Sequence, residues 1–275
     1  MKRILITITV TILATLLIVG TILEIQAQRA QLDADEHQEV YSEILEEERP
    51  LLIHLPRSYS SDPSRTYPVI YVLDAGSQDF RLAQIAGILA TAKSMPEVIV
   101  VGIRNTDRNR DLTPPSIYQS EDREKKGEAD SFLAFIHEEL VPFVDQNYRT
   151  NGVRALAGHS RGGLFVGYAL LAEPDFFDAH ICFSPAYWRD DHQIIRDAKG
   201  LLAGRDSLGT YWYNSLGTAE NDKMKGGYQA MKSEVQSLLS KSPVSFQMTP
   251  GAVHSDNSYY SAPEALSSWA EYEGW

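Results

Sequence analysis

The segment Tyr67-Pro68-Val69-Ile70-Tyr71-Val72-Leu73 is β-branched, aromatic or otherwise apolar throughout. A strand with water on one side alternates polar and apolar residues. A strand without that alternation is covered on both faces, the usual condition of a parallel sheet between helices. Pro96–Ile103 is a second such run, and Val153–Ala157, Ala179–Phe183, Thr210–Asn214 and Val244–Met248 complete the set. Val40–Leu45 and Arg49–Leu55 alternate instead, which predicts an antiparallel pair. Helical periodicity lies between these runs. Ser131–Val144 places Phe132, Phe135, Ile136, Leu140 and Phe143 on one face, Arg161–Leu171 follows a turn, and Met224–Leu239 repeats apolar residues at helical spacing. Strands alternating with helices predict an α/β chain with a mostly parallel central sheet and helices on both faces. Asn105–Gly127 is long, charged and carries Pro114-Pro115. It is expected as a surface excursion that caps a site.

The first 27 residues read as an address. Met1-Lys2-Arg3 is basic, Ile4–Leu23 is apolar apart from scattered Thr and one Gly, and Ala27 is a small residue of the kind found at export cleavage sites. Two readings stand: a cleaved export signal, or a retained anchor spanning residues 4–23. Both put the rest of the chain outside the cytoplasm, in the periplasm or beyond the cell, because the basic start stays inside. Residues 28–38 are expected as a polar tether and 39–275 as one domain. With 25 Lys and Arg against 37 Asp and Glu, the net charge is −12. That balance argues against a nucleic-acid binder, which needs a basic surface, and against anionic membrane surfaces as partners. The chain has 1 cysteine, Cys182, so an intramolecular disulfide and a cysteine-based zinc site are excluded, and the residue is expected in the core. No Asp/His cluster has metal-ligand spacing, and no metal or other cofactor is expected.

Gly158-His159-Ser160-Arg161-Gly162 matches G-x-S-x-G. The pattern alone is weak, but a strand precedes it directly and a helix follows directly, as a nucleophile elbow requires. The sharp turn strains the Ser backbone, so its neighbours must be tiny, and Gly158 and Gly162 supply this. A Ser hydroxyl needs a base. Of the 7 histidines, His37 falls in the tether, His54 and His180 in strands, His137 on a solvated helix face, His159 inside the elbow and His192 in an Asp-rich segment. His254 alone follows the last strand, where the order Ser, acid, His puts the base. The acid follows the strand before that one, where Glu220 is the first carboxylate and Asp222 the second. An oxyanion needs two N–H donors. One is expected from the backbone of Arg161. The other is expected from the turn after Leu73, at Gly76, with Ala75 and Ser77 as alternatives.

These residues carry a likeness. The chain resembles an esterase family of α/β-hydrolases that includes esterase D-like enzymes, feruloyl and acetyl-xylan esterases, and siderophore esterases of the enterochelin esterase type. The likeness runs through Tyr67–Asp74, Ile103–Pro114, Phe132–Thr150, the elbow with Leu164-Phe165, and Phe183-Ser184-Pro185-Ala186-Tyr187-Trp188. It implies the α/β-hydrolase fold and metal-free, serine-dependent ester hydrolysis, with Ser160 and His254 each matched at its own motif. The turn departs from the family, reading Asp74-Ala75-Gly76 where relatives have Asp-Gly, and His254 is followed by Ser255-Asp256. The resulting expectation is a serine carboxylic-ester hydrolase acting through an acyl-enzyme on siderophores or other small esters. Acyl transfer on the same scaffold, or a binding protein without catalysis, is the alternative. Tyr187 and Trp188 are expected to line the substrate pocket or to pack beside the sheet end. Arg104, Arg108 and Arg110 are expected to meet an anionic substrate or to form a salt-bridged loop with Asp107 and Asp111.

Overall fold

Eight strands form one twisted sheet in the order β1-β2-β4-β3-β5-β6-β7-β8. The computed structural model describes residues 35–118, 125–205, 207–239 and 242–275. The apolar leader and residues 28–34 of the expected tether lie outside the described residues, as does the tip of the expected cap at 119–124. Asp35–Trp275 folds as one compact unit.

Six of the eight described strands are parallel neighbours; the second runs against them, and the first, antiparallel to the second, points in their direction again. β1 (Glu36–Ser42) and β2 (Glu47–His54) form the antiparallel pair at one edge. β1 begins at Glu36, so the tether ends three residues earlier than its polarity suggests. Pairing with Ile53 and Leu52 recruits Glu36 and His37 to the ladder, and an edge strand tolerates polar residues on its open face. β3 (Tyr67–Leu73) is buried at all 7 residues, as its unbroken apolar run requires. β4 (Ile99–Ile103) is buried throughout as well. β5 (Thr150–His159), β6 (Ala179–Phe183), β7 (Tyr211–Gly217) and β8 (Val244–Thr249) follow in register.

Helices cover both faces. On one face, α1 (Asp79–Thr91), which follows β3, and the C-terminal helix Asn257–Glu273 pack Leu82, Ala86, Leu266 and Trp269 onto Ile70, Val100 and Tyr213. Neither helix was marked by a strong apolar stripe in the sequence. On the other face lie α2 (Arg108–Asp111), α3 (Ala129–Phe135), α4 (Val141–Asn147), α5 (Arg161–Ala172), α6 (Arg189–Leu201) and α7 (Asp222–Leu238). The expected Ser131–Val144 helix is three segments: a π-helical turn, Ile136–Leu140, sits between α3 and α4. The extra residue in that turn carries Glu139 to the β1–β2 hairpin. There its carboxylate accepts Ser42 Oγ–H and the N–H groups of Glu43 and Ile44. The C-terminal helix is hereafter α8.

Parallel strands all deliver their C-terminal ends to the same edge of the sheet, where ligands bind in open α/β sheets. Asp74, Ser160, Ser184, Glu220 and His254 all lie just beyond such ends.

Candidate active site

Ser160 sits between β5 and α5 with φ 60° and ψ −112°, a conformation few side-chain-bearing residues adopt. Its N–H donates to Phe183 O at 2.9 Å, and its carbonyl accepts from Leu164 and Ala186. The flanking glycines are demanded by space. A Cβ on Gly158 would stand 2.5 Å from the carbonyl carbon of Gly162. The hydroxyl is therefore held at the N-terminus of α5, where free N–H groups favour negative charge.

His254 lies in the loop between β8 and α8, and its Nε2 is 2.9 Å from Ser160 Oγ. Its Nδ1 is 2.8 Å from Glu220 Oε2. Glu220 follows β7 and is only 4% exposed. Burial alone would raise its pKa, but hydrogen bonds from His254, Ser184 and the Gly217 N–H outweigh it and leave the carboxyl lowered. Asp222, the alternative acid, opens α7 and is exposed. The structure thus brings Ser160, His254 and Glu220 into one hydrogen-bonded line. Ser and base are 94 residues apart in sequence, and base and acid 34.

His159 does not face the nucleophile. Its Nε2 lies 2.7 Å from the backbone carbonyl of His254, and the two rings stand 4.7 Å apart. Burial, and then the neighbouring His254, push its pKa down to about 4. At neutral pH it is an uncharged donor that braces the base loop, a contact visible only once the loop is folded back over the elbow.

Two expected site residues are placed elsewhere. The Gly76 N–H donates to Asp79 Oδ1 at 2.8 Å and is not available as an oxyanion donor. Ala75 is spent likewise on Ile103 O at 3.1 Å, which leaves Ser77 of the three candidates. Tyr187 is fully buried, donates its hydroxyl to Asn214 Oδ1 at 2.7 Å and packs on Gly167, so it belongs to the core and not to a substrate wall. Trp188 does face the cleft.

That cleft has a volume of about 280 Å³ and is lined by Arg108, Ser160, Arg161, Ala186, Trp188, Arg189, Asn221, Lys223, Met224 and His254. Four of the ten are cationic. Trp188 lies between two of them, with Arg189 5.7 Å and Lys223 5.3 Å from its ring centroid. Burial, followed by the neighbouring Arg189 and Arg108, lowers the Arg161 guanidinium to about 10. It stays charged at neutral pH, and the crowding of positive charge leaves room for an anion. Of the three arginines read from the 104–110 segment, Arg108 forms a bidentate pair with Asp74 at 2.6 and 2.9 Å while still lining the cleft. Arg110 is engaged by Glu47 and Asp111, and Arg104 is exposed. Arg161 Nη1 reaches Thr113 Oγ1 and Arg189 reaches Tyr118 O, so the 105–118 excursion borders the cleft. A larger hollow of about 600 Å³ lies near the start of β3, between Arg65, Lys93 and Trp275, and holds none of the triad residues. Among the described residues no three His, Cys, Asp or Glu side chains stand together as metal ligands.

Comparison with known proteins shows the family of the chain. A sequence model of the family described as "Putative esterase" matches residues 42–272. The chain is 36% identical over 124 residues to a siderophore enterobactin esterase of Emericella nidulans, a match covering 39% of this chain and 41% of that protein. It is 33% identical over 161 residues to the ferri-bacillibactin esterase BesA of Bacillus subtilis, covering 52% and 56%. The chain thus spans about half the length of the curated relatives it matches. An IroE-like serine hydrolase from Shewanella oneidensis superposes with a TM-score of 0.78 at 26% identity, over 86% of this chain and 80% of that one.

Proposed function

The chain belongs to this esterase family, and from that premise we propose that it is a serine carboxylic-ester hydrolase. The observation that carries the reading is the continuous line from Ser160 Oγ through His254 to Glu220, with links of 2.9 and 2.8 Å. Ser160 attacks the ester carbonyl as His254 Nε2 takes its proton, and Glu220 holds the Nδ1–H tautomer and stabilises the imidazolium that forms. The Arg161 backbone N–H, at the head of α5, faces the developing oxyanion. His254 then passes the proton to the leaving alcohol. Water, deprotonated by the same imidazole, releases the acid from the acyl-enzyme.

The substrate proposed is an anionic, aromatic ester of the siderophore kind. Four cations around Trp188 offer charge complementarity and a stacking face in one cleft. The proteins named as siderophore esterases supply the chemical class. The net charge of −12 makes this local positive charge a property of the cleft and not of the whole surface. The basic start and apolar run of residues 1–27 support an exported enzyme, with this chemistry outside the cytoplasm.

A panel of p-nitrophenyl, feruloyl and catecholate-siderophore esters tests the assignment. Ser160→Ala is expected to abolish turnover and fluorophosphonate labelling together. Retention of either in the folded variant refutes the nucleophile. Lys223→Glu is expected to raise KM for the anionic esters and to leave neutral p-nitrophenyl acetate unaffected. An equal change for both refutes the charge argument.

A further inference from the structure

The triad acid is backed by a second set of polar side chains, which the reaction as described does not use. Glu220 spends Oε2 on His254, and its other oxygen, Oε1, accepts Ser184 Oγ–H at 2.6 Å and the Gly217 N–H at 2.9 Å. Ser184 Oγ in turn accepts from Asn257 Nδ2 at 3.0 Å, and the same amide donates to Ser215 Oγ at 3.0 Å. Ser215 and Ser261 hydroxyls lie 2.9 Å apart, and Ser261 Oγ donates to Asn257 O at 2.8 Å. Ser184, Ser215 and Asn257 are 0% exposed and Ser261 is 2% exposed.

Each hydroxyl has one proton, and that count fixes the direction of every bond. Ser261 gives its proton to Asn257 O, so Ser215 must give its own to Ser261. The Asn257 amide fills the acceptor sites of Ser215 and Ser184. The Ser184 proton then has Glu220 as its acceptor. With the Asn257 amide nitrogen facing both serines, the chain ends in a hydrogen bond donated to an ionised Glu220. Ser184 is also held in an unusual backbone conformation, φ 45°, with its N–H bonded to Ser215 O at 2.8 Å. A strained residue persists where its surroundings over-determine it, and here the strain aims a hydroxyl at a carboxylate.

We propose that Ser184, held by Asn257, is a positioning residue that fixes the Glu220 carboxylate for His254. The proposal rests on Glu220 being the triad acid. It acts through Glu220 and makes no contact with substrate.

A double-mutant cycle in the full-length enzyme tests it. Ser184→Ala removes the hydroxyl alone, and Ser184→Gly removes it while relieving the left-handed backbone, so the second variant is expected to fold at least as stably as the first. Both are expected to lower kcat about ten- to a hundredfold, the range for a hydrogen bond to a charged group, with KM unchanged. In a Glu220→Ala background the same substitutions are expected to cost nothing further, because there is no carboxylate left to orient. An equal fold-loss in both backgrounds, or a loss carried by KM or matched by falling thermal stability, overturns the positioning role while leaving the triad intact. Unchanged kcat in Glu220→Ala alone overturns the acid assignment, and this proposal with it.

Discussion

The nucleophile elbow and the turn after β3 face each other across the site, and they are held by different physics. The elbow is held by exclusion. Gly158 has no room for a Cβ against the Gly162 backbone, a Cβ on Gly163 would stand 3.1 Å from Phe183 O, and Ser160 is bonded through its main chain on both sides. The Asp74–Ser77 turn is held by charge. Asp79 accepts the Gly76 N–H and is itself gripped by His54 Nε2 at 2.8 Å. Asp74, at φ 60°, is clamped by Arg108 and by Asn105 Nδ2 at 2.6 Å. The elbow therefore depends on what its own five residues lack, and the turn on partners 25 to 34 residues away.

The largest effect is expected where exclusion is absolute. Gly158→Ala drives a Cβ into backbone that cannot rotate aside, and about 3 kcal/mol or more of stability should be lost. Urea unfolding followed by tryptophan fluorescence measures it. A loss below about 1 kcal/mol would mean that the elbow is more pliant than its contacts imply.

This contrast explains what could be read from the sequence. Sterically dictated features announce themselves locally. The β3 run, the G-x-S-x-G pattern and the position of His254 after the last strand each follow from a few adjacent residues, and the structure places them as that reading expects. Glu220 was legible by its position after β7, but its preference over Asp222 comes from the Gly217 N–H and Ser184, which the chain reveals only when folded. Gly76 suits a close approach of backbone to substrate, but its N–H is taken by Asp79, an acceptor from the first turn of the following helix that the turn itself does not reveal. The sequence leaves Tyr187 open between cleft and packing because an aromatic beside a substrate motif looks the same whether it faces the cleft or Asn214. Pairings over long sequence separations leave no local pattern.

The turn should give way next. Asp79→Ala leaves the buried His54 without its acceptor and frees the exposed Gly76 N–H, at an expected cost of about 1–3 kcal/mol. Asp79→Asn, which keeps one acceptor oxygen, is expected to lose less. The telling readout is binding of a boronate transition-state analogue. Asp79→Ala is expected to weaken it by more than the parent ester's KM rises, because the turn borders the oxyanion. Equal losses would place the damage in the fold at large.

Acid separates the two regions without mutation. Burial, and then the neighbouring His254, lower the pKa of His159 to about 4, against 6.5 for the ordinary side chain. The unfolded chain takes up a proton there that the folded chain refuses, so stability falls as pH drops from about 6.5 toward 4, with a slope approaching 1.4 kcal/mol per pH unit. His180, wholly buried and lowered to about 3, adds in the same direction. Burial alone would raise Asp79, but its bonds from His54 and Gly76 leave it lowered from 3.8, so its contribution is complete above that value and is lost only below it. His159→Gln is expected to flatten the pH dependence between 4 and 6.5, and Asp79→Asn to change it only in stronger acid. An unchanged slope in His159→Gln would show that the elbow histidine is hydrated in solution.

The smallest single effect is the most informative about the turn. Arg108 is 37% exposed on its side chain, so the worth of its pair with Asp74 is reduced by solvent. Arg108→Lys keeps the charge and loses the two-pronged geometry, and alone it is expected to cost about 0.5 kcal/mol. Asp74 and Asp79 nevertheless anchor the same four-residue turn from opposite sides. If charge holds the turn as a unit, releasing one anchor should loosen the other, and Arg108→Lys in the Asp79→Asn background should depart from additivity by about 0.5 kcal/mol or more. Strict additivity in urea unfolding would mean that the two clamps act independently. The turn would then keep its shape by its own backbone, as the elbow does, and the contrast between the two regions would disappear.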